Sequence, residues 1–128
     1  LRSGQDVTIA SCGPLLYEAL VAAEQLVEKG IDAEVINCHT LKPFDEKTLV
    51  KSLKKTGCCV TVEEHQLTGG LFGAVSETCA RLIPVPVMGI GMLDRFGESG
   101  EPDELLERYG MTAKDIEVAA KKVLKRKG

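Results

Sequence analysis

The sequence predicts a three-layer α/β/α sandwich on a mainly parallel sheet, and three observations carry that expectation. Short β-type runs alternate with longer amphipathic runs along the chain, the pattern of successive strand–helix–strand crossovers. The run Cys58–Val62 is near-continuously apolar, as in a strand covered by helices on both faces. The chain has 128 residues, 44% hydrophobic and 27% charged. That is the size of one ordinary domain, with about two-thirds of its surface buried.

Val7–Ser11 is a β-rich run stopped by Gly13-Pro14, and Pro14 suits the first position of a helix because its missing N–H costs nothing there. From Leu15 to Lys29 apolar residues recur at Leu16, Leu20, Ala23 and Val27, a broad helical stripe, with Gly30 placed to end it. Ile31–Cys38 alternates as a second strand. Asp45 is a good N-cap for a helix running to Gly57, with Phe44 and Leu49 spaced as a hydrophobic staple. Cys58–Val62 is the third strand, ended by Glu63-Glu64-His65. Gly69-Gly70 opens a helix that carries Leu71, Val75, Cys79 and Leu82. In the fourth strand, Pro84–Ile90, two prolines limit the ladder and demote it towards a sheet edge. Pro102 to Tyr109 reads as a short helix. A last helix starts at Thr112, where Thr112 and Asp115 resemble a capping box, and runs towards Lys125.

The balance of 16 basic and 19 acidic residues gives a net charge of −3. Nucleic-acid binders concentrate basic charge on one face. Here the basic cluster is Lys121, Lys122, Lys125, Arg126 and Lys127, which reads as a solvated helix end complementing its dipole. Neither nucleic acid nor a membrane is therefore expected as a partner, and no long apolar run suggests a signal peptide or a membrane span. The five cysteines, Cys12, Cys38, Cys58, Cys59 and Cys79, lack a C-x-x-C pair and fall mostly in apolar runs. That usage fits buried thiols of a cytoplasmic protein, with Cys58 and Cys59 on opposite faces of their strand.

In this architecture ligands bind beyond the carboxyl ends of the strands, here Ser11-Cys12, Cys38-His39, Glu63 to His65 and Gly91 to Asp94. The loop after the first strand lacks phosphate-cradle glycine spacing, so a structural turn is the expected reading. Glu63-Glu64-His65 joins two carboxylates and an imidazole. Adjacent strand residues face opposite ways, however, so an interface or folding role outweighs acid–base catalysis. His39 reads as a surface residue, and two histidines without a thiolate cluster give no metal site. Arg95 and Phe96, in the polar segment Asp94 to Glu104, are candidates for docking a partner.

The order of Asp6 to Ala10, Gly13-Pro14 with Glu18-Ala19, Leu41 to Asp45, Val62 to His65, Gly69-Gly70 and Asp94 to Gly100 resembles the C-terminal domain of transketolase. The closing Glu104-Leu105-Leu106, Tyr109 to Ala113 and Ile116 extend the resemblance to nearly the whole chain. It implies one domain, residues 1–128, with a sheet of five strands, the first antiparallel, and with Leu1 to Gln5 as the end of that first strand and its turn. It implies a parent enzyme that uses thiamine diphosphate and Mg²⁺ to move a two-carbon ketol unit from a ketose phosphate to an aldose phosphate. The cofactor sites are expected in other domains that meet across a homodimer. Gly-Asp-Gly, the family's pyrophosphate motif, is missing from this sequence.

No catalytic, cofactor-binding or metal residue is thus expected in the chain. Glu64, His65, Gly69, Gly70, Asp94, Arg95, Phe96 and Glu98 are expected to face other transketolase domains, subunits or a regulatory ligand. Related domains occur in deoxyxylulose-phosphate synthases and in 2-oxo acid dehydrogenase β subunits. The reading from another class is a freestanding small-ligand module that captures an anion at Gly13 or Gly70.

Overall fold

The computed structural model describes residues 2–11, 16–38, 45–63, 70–91 and 113–127. Among them lie β1 (Val7–Ser11), α1 (Leu16–Val27), β2 (Ala33–Asn37), α2 (Glu46–Thr56), β3 (Cys59–Glu63), α3 (Leu71–Leu82), β4 (Val87–Gly91) and α4 (Ala113–Arg126). The strands run in the order β2-β1-β3-β4, and every neighbouring pair is parallel. The expected helix over 102–109 falls outside the described residues.

Alternation along each strand divides the core in two. Val7 and Ile9 of β1, Val35 of β2 and Val60 and Val62 of β3 pack with Ala19, Ala22, Ala23 and Leu26 of α1 and with Ile116, Ala120 and Val123 of α4. On the other side, Ala10, Ile36 and Cys59 pack with Leu49 and Leu53 of α2 and Leu71, Val75 and Cys79 of α3. This is the three-layer sandwich. Cys58 and Cys59 belong to opposite cores, as their adjacency in an extended run requires.

Local chemistry fixes the helix ends. Gly30 adopts φ +77°, and its N–H reaches Val27 O while Ile31 N–H reaches Leu26 O, the crossed pair of a Schellman turn. Asp45 caps α2 by accepting from Thr48 N at 3.1 Å, and Gly57 at φ +76° closes it. Phe44, the other half of the expected staple, lies outside the described residues. At α4 one first-turn amide meets a distant residue, with Ala113 N donating to Glu18 Oε2 of α1 at 3.1 Å, while Thr112 of the expected capping box lies outside the described residues.

β4 is the edge strand that its prolines predict. Both prolines precede the strand, and the carbonyl of Pro86 accepts from Cys59 N at 3.0 Å, a bond that needs no proline N–H. Of the expected first strand, antiparallel and cut short at Leu1 to Gln5, residue 1 lies outside the described residues. The described sheet has four strands, and at the free edge of β2 a single antiparallel bridge joins Arg2 to Val35. One bridged residue is not a strand, because a ladder needs successive pairs. Just beyond it Gly4 lies against β2 so closely that a Cβ there would stand 2.3 Å from the Ala33 carbonyl carbon.

Candidate functional site: the β3–α3 junction and the strand ends

The carboxyl ends of the four parallel strands bring Ser11, Asn37, Glu63 and Gly91 to one edge of the sheet. β1 and β3 are neighbours there, and their chains leave towards opposite faces: α1 joins the core of α4, while α3 joins the core of α2. Such a divergence opens a crevice in doubly wound sheets. Ser11 sits at it fully buried, with an Oγ that has no hydrogen-bond partner among the described residues. Cys38 N donates to Ser11 O at 2.7 Å, so the exit of β2 is tied to the same point.

Glu63 ends β3 with only 2% of its surface exposed. Its two oxygens accept from Leu71 N at 3.0 Å and Phe72 N at 2.9 Å. The first N–H groups of a helix have no intrahelical partner, and the helix dipole places partial positive charge there. The carboxylate satisfies two of those donors and is itself solvated by them. Gly70, whose carbonyl accepts from Ala74 N at 3.1 Å, precedes the helix and contributes no side-chain cap. Phe72 crosses the face of β4: a Cβ on Gly89 would meet its ring at 2.6 Å.

Of the residues singled out in the sequence, Gly70 is described, and it stands beside the amides that Glu63 holds. Glu64, His65, Gly69, Asp94, Arg95, Phe96 and Glu98 lie outside the described residues, as do Cys12, Gly13 and His39. Glu63 itself is turned inward as a helix cap, which is the folding role that outweighed acid–base work. Anion capture at Gly70 meets a direct obstacle. The two amides that an external anion needs are already bonded to an internal one.

Cys58, Cys59 and Cys79 are buried in the packed layers. Burial pushes the Cys58 and Cys79 thiols up to about 11 and raises the fully buried Cys59 thiol well above its ordinary value. No group of three or more His, Cys, Asp or Glu among the described residues is arranged to hold a metal ion. Among the described residues, the α3 terminus is already filled by Glu63, so its first two amides are not open to a metal–pyrophosphate group. A surface depression of about 580 Å³ lies along α2, lined by Glu46, Lys47, Val50, Lys51, Lys54 and the half-exposed Leu82 of α3. It includes none of the strand-end residues.

Sequence reasoning passed over two of the groups that shape this face, Glu34 and Glu18. Glu34 accepts from Lys55 Nζ at 2.5 Å and Gly4 N at 3.1 Å, and Glu18 caps α4 from 95 residues away. The available signal for Glu34 was an acid inside a buried strand, a position that demands a partner.

Residues 1–116 match the family model for the transketolase C-terminal domain. The chain belongs to the transketolase C-terminal domain family. It is 49% identical over 127 residues to the 6-deoxy-6-sulfo-D-fructose transketolase subunit of a Clostridium species (strain MSTE9), spanning 99% of this chain and 39% of that protein. It is 44% identical to a putative transketolase C-terminal section of Methanocaldococcus jannaschii, spanning 91% of this chain and 36% of that protein. A 1-deoxy-D-xylulose-5-phosphate synthase of Thermomicrobium roseum is 40% identical over 117 residues, with 91% of this chain matching 19% of that one.

Among solved structures, a split-gene transketolase in an inactive beta4 tetramer superposes with a TM-score of 0.94 at 45% identity, over 99% of this chain and 42% of its own. A transketolase from Pichia stipitis, at 21% identity, shares the fold with a TM-score of 0.69, over 98% of this chain and 17% of its own. The transketolase C-terminal domain described here thus spans about two-fifths or less of the proteins it matches. No helix among its described residues is long and apolar enough to cross a membrane.

Proposed function

We propose that residues 1–128 form a single C-terminal domain, or a split C-terminal subunit, of a cytoplasmic transketolase. In that role the domain supports assembly of an enzyme that moves a two-carbon ketol unit from a ketose phosphate to an aldose phosphate. Thiamine diphosphate and Mg²⁺ belong to the other domains of that enzyme, which work as a homodimer, and this chain supplies no reacting group. Glu64, His65, Gly69 and Gly70, with Asp94, Arg95, Phe96 and Glu98, form the surfaces that meet those other domains or subunits. The observation that carries this reading is the family match over residues 1–116 on a chain spanning 39% of its 49%-identical transketolase-subunit relative.

Calorimetric titration of the chain with thiamine diphosphate and Mg²⁺, followed by a ketol-transfer assay, tests it. The expected result is no cofactor uptake by the chain alone, and transfer only when the rest of the enzyme is supplied. Tight binding and turnover by the chain alone would overturn it.

A second reading is the C-terminal domain of a deoxyxylulose-phosphate synthase, favoured by the 40% identity to the Thermomicrobium enzyme. The product released by the assembled enzyme separates the two: a transferred ketol unit, or 1-deoxy-D-xylulose 5-phosphate.

A further inference from the structure

Arg2 is pinned to the edge of β2. Its N–H donates to Val35 O at 3.3 Å and its carbonyl accepts from Val35 N at 2.9 Å. Two residues on, Gly4 N donates to Glu34 Oε1 at 3.1 Å. The chain is thus held on both sides of Ser3, and the Arg2 side chain is delivered beside α2. A cavity of about 320 Å³ opens there between the β2 edge and α2, with Arg2, Ser3, Glu34, Thr48, Lys51 and Lys55 among its lining. We propose that this cavity binds a small, doubly charged tetrahedral oxyanion, a phosphate or phosphate monoester, held by Arg2 and Lys51 with Lys55 as a third cation. The site is separate from the strand ends and does not rest on the assembly role proposed above.

The physical case begins with a donor that lacks an acceptor. Arg2 Nε is buried and has no hydrogen-bond partner among the described residues. A guanidinium keeps its charge at any working pH, so the group cannot escape burial by losing a proton. Buried N–H groups in native proteins are nearly always paired, with protein, water or an ion. Charge points the same way. Three cations line the cavity against one carboxylate, Glu34, which already takes Lys55 Nζ at 2.5 Å and Gly4 N. Neither Arg2 nor Lys51 forms an ion pair with a described acid. The Lys55 ammonium has three donors, so it can hold Glu34 and a ligand together. Thr48 is not counted as a donor, because its hydroxyl proton goes to Asp45 Oδ2 at 2.6 Å. The guanidinium fork matches a pair of oxygens on a tetrahedral anion, and the volume falls at the lower end of small-molecule sites. At the α3 terminus the amides are satisfied from within by Glu63. At this edge the donors outnumber the acceptors.

The test uses the full-length polypeptide that carries this domain and a readout local to the cavity. Lysines are acetylated with a trace of an activated acetate ester, in inorganic phosphate or in chloride at the same ionic strength, and each site is followed by peptide mass spectrometry. Lys51 labelling is expected to slow about 10-fold at a phosphate concentration about ten times Kd. Lys47 and Lys54, on the same helix but outside this cavity, are expected to label alike in both salts. Arg2→Gln is expected to weaken phosphate protection of Lys51 by about 10-fold or more in Kd. Should Arg2→Gln fail to fold, Arg2→Lys, which keeps the charge and loses the fork, carries the same comparison with a smaller loss.

Sulfate, tetrahedral and doubly charged, should protect Lys51 as phosphate does, and acetate much less. Equal protection by acetate would overturn the doubly charged ligand. Labelling of Lys51 that is the same in phosphate and chloride would overturn the site as a whole, and would mean that water or another part of the polypeptide satisfies Arg2. Protection that survives Arg2→Gln or Arg2→Lys unchanged would also overturn it, since Arg2 supplies the donor from which the site is built.

Discussion

Two glutamates are buried on the same side of the sheet, and the molecule solves their charge in different ways. Glu34 of β2 is 8% exposed and takes a cation: Lys55, from the last turn of α2, reaches its Oε1 at 2.5 Å, with Gly4 N on the same oxygen at 3.1 Å. Glu63 of β3 has no cation on it among the described residues, and takes the first amides of α3 instead. The first arrangement joins two elements by their side chains and leaves Lys55 partly in water. The second uses backbone donors that α3 must orphan anyway, so it costs no side-chain ordering beyond that of Glu63. A buried acid therefore does not by itself mark a reactive site. What it faces decides, and both of these face hydrogen-bond donors that give them a structural role.

Within the Glu34 arrangement the largest expected effect is at Lys55. Lys55→Met leaves Glu34 buried with one amide and the Ser52 hydroxyl, at a cost of about 2 kcal/mol, below the usual loss for a fully buried pair because Lys55 is part-solvated. Urea unfolding measures it, and the double variant with Glu34→Gln should recover much of the loss. A cost under about 0.5 kcal/mol would mean that the pair behaves as an ordinary surface pair.

The same site predicts an acid response. Burial pulls the Glu34 pKa up, but hydrogen bonds from Lys55, Ser52 and Gly4 and the Lys55 charge outweigh it and hold the carboxyl below its ordinary value. A folded value below the unfolded one means that the stabilisation is complete above the unfolded pKa of about 4.3 and is lost as pH falls through the folded value. The difference in stability between wild type and Glu34→Gln should therefore be flat from neutral pH to about pH 5 and shrink below it. In the Lys55→Met background the burial effect is left with less to oppose it, and the acid loss should diminish or change sign.

Which of these features the sequence discloses follows from how far apart the partners are. Asp45 and Gly57 are legible because a cap acts over three or four residues, and Pro84 and Pro86 mark an edge strand through their own covalent structure. The alternation of runs gives the layer order, since each crossover must cover one face. The sequence favours a folding or interface role for Glu63 but hides its partners, because they are backbone amides eight and nine residues on, and an amide carries no sequence signature. Glu34 and Lys55 are 21 residues apart, and Glu18 and Ala113 are 95 apart, so only the packed sheet brings them together. Strand pairing at an edge depends on which residues lie opposite, and among the described residues Arg2 meets Val35 in the antiparallel sense expected there.

Asp45 sharpens the comparison from its weakest side, because it does at α2 what Glu63 does at α3, but locally and in water. Its carboxylate accepts from Thr48 N at 3.1 Å and Thr48 Oγ1 at 2.6 Å, and those hydrogen bonds hold its pKa below the ordinary range. Asp45→Ala exposes one amide and one hydroxyl of Thr48 that solvent can satisfy, whereas Glu63→Ala leaves two amides without their partner, one of them buried. The expected loss is accordingly small, roughly 3 °C in Tm by scanning calorimetry. Acetate should not recover it, because no enclosed space remains for the anion to fill. If Asp45→Ala proved as damaging as Glu63→Ala, or as responsive to acetate, enclosure would not be what distinguishes the two caps. The long-range reach of Glu63 would then add nothing to an ordinary helix start.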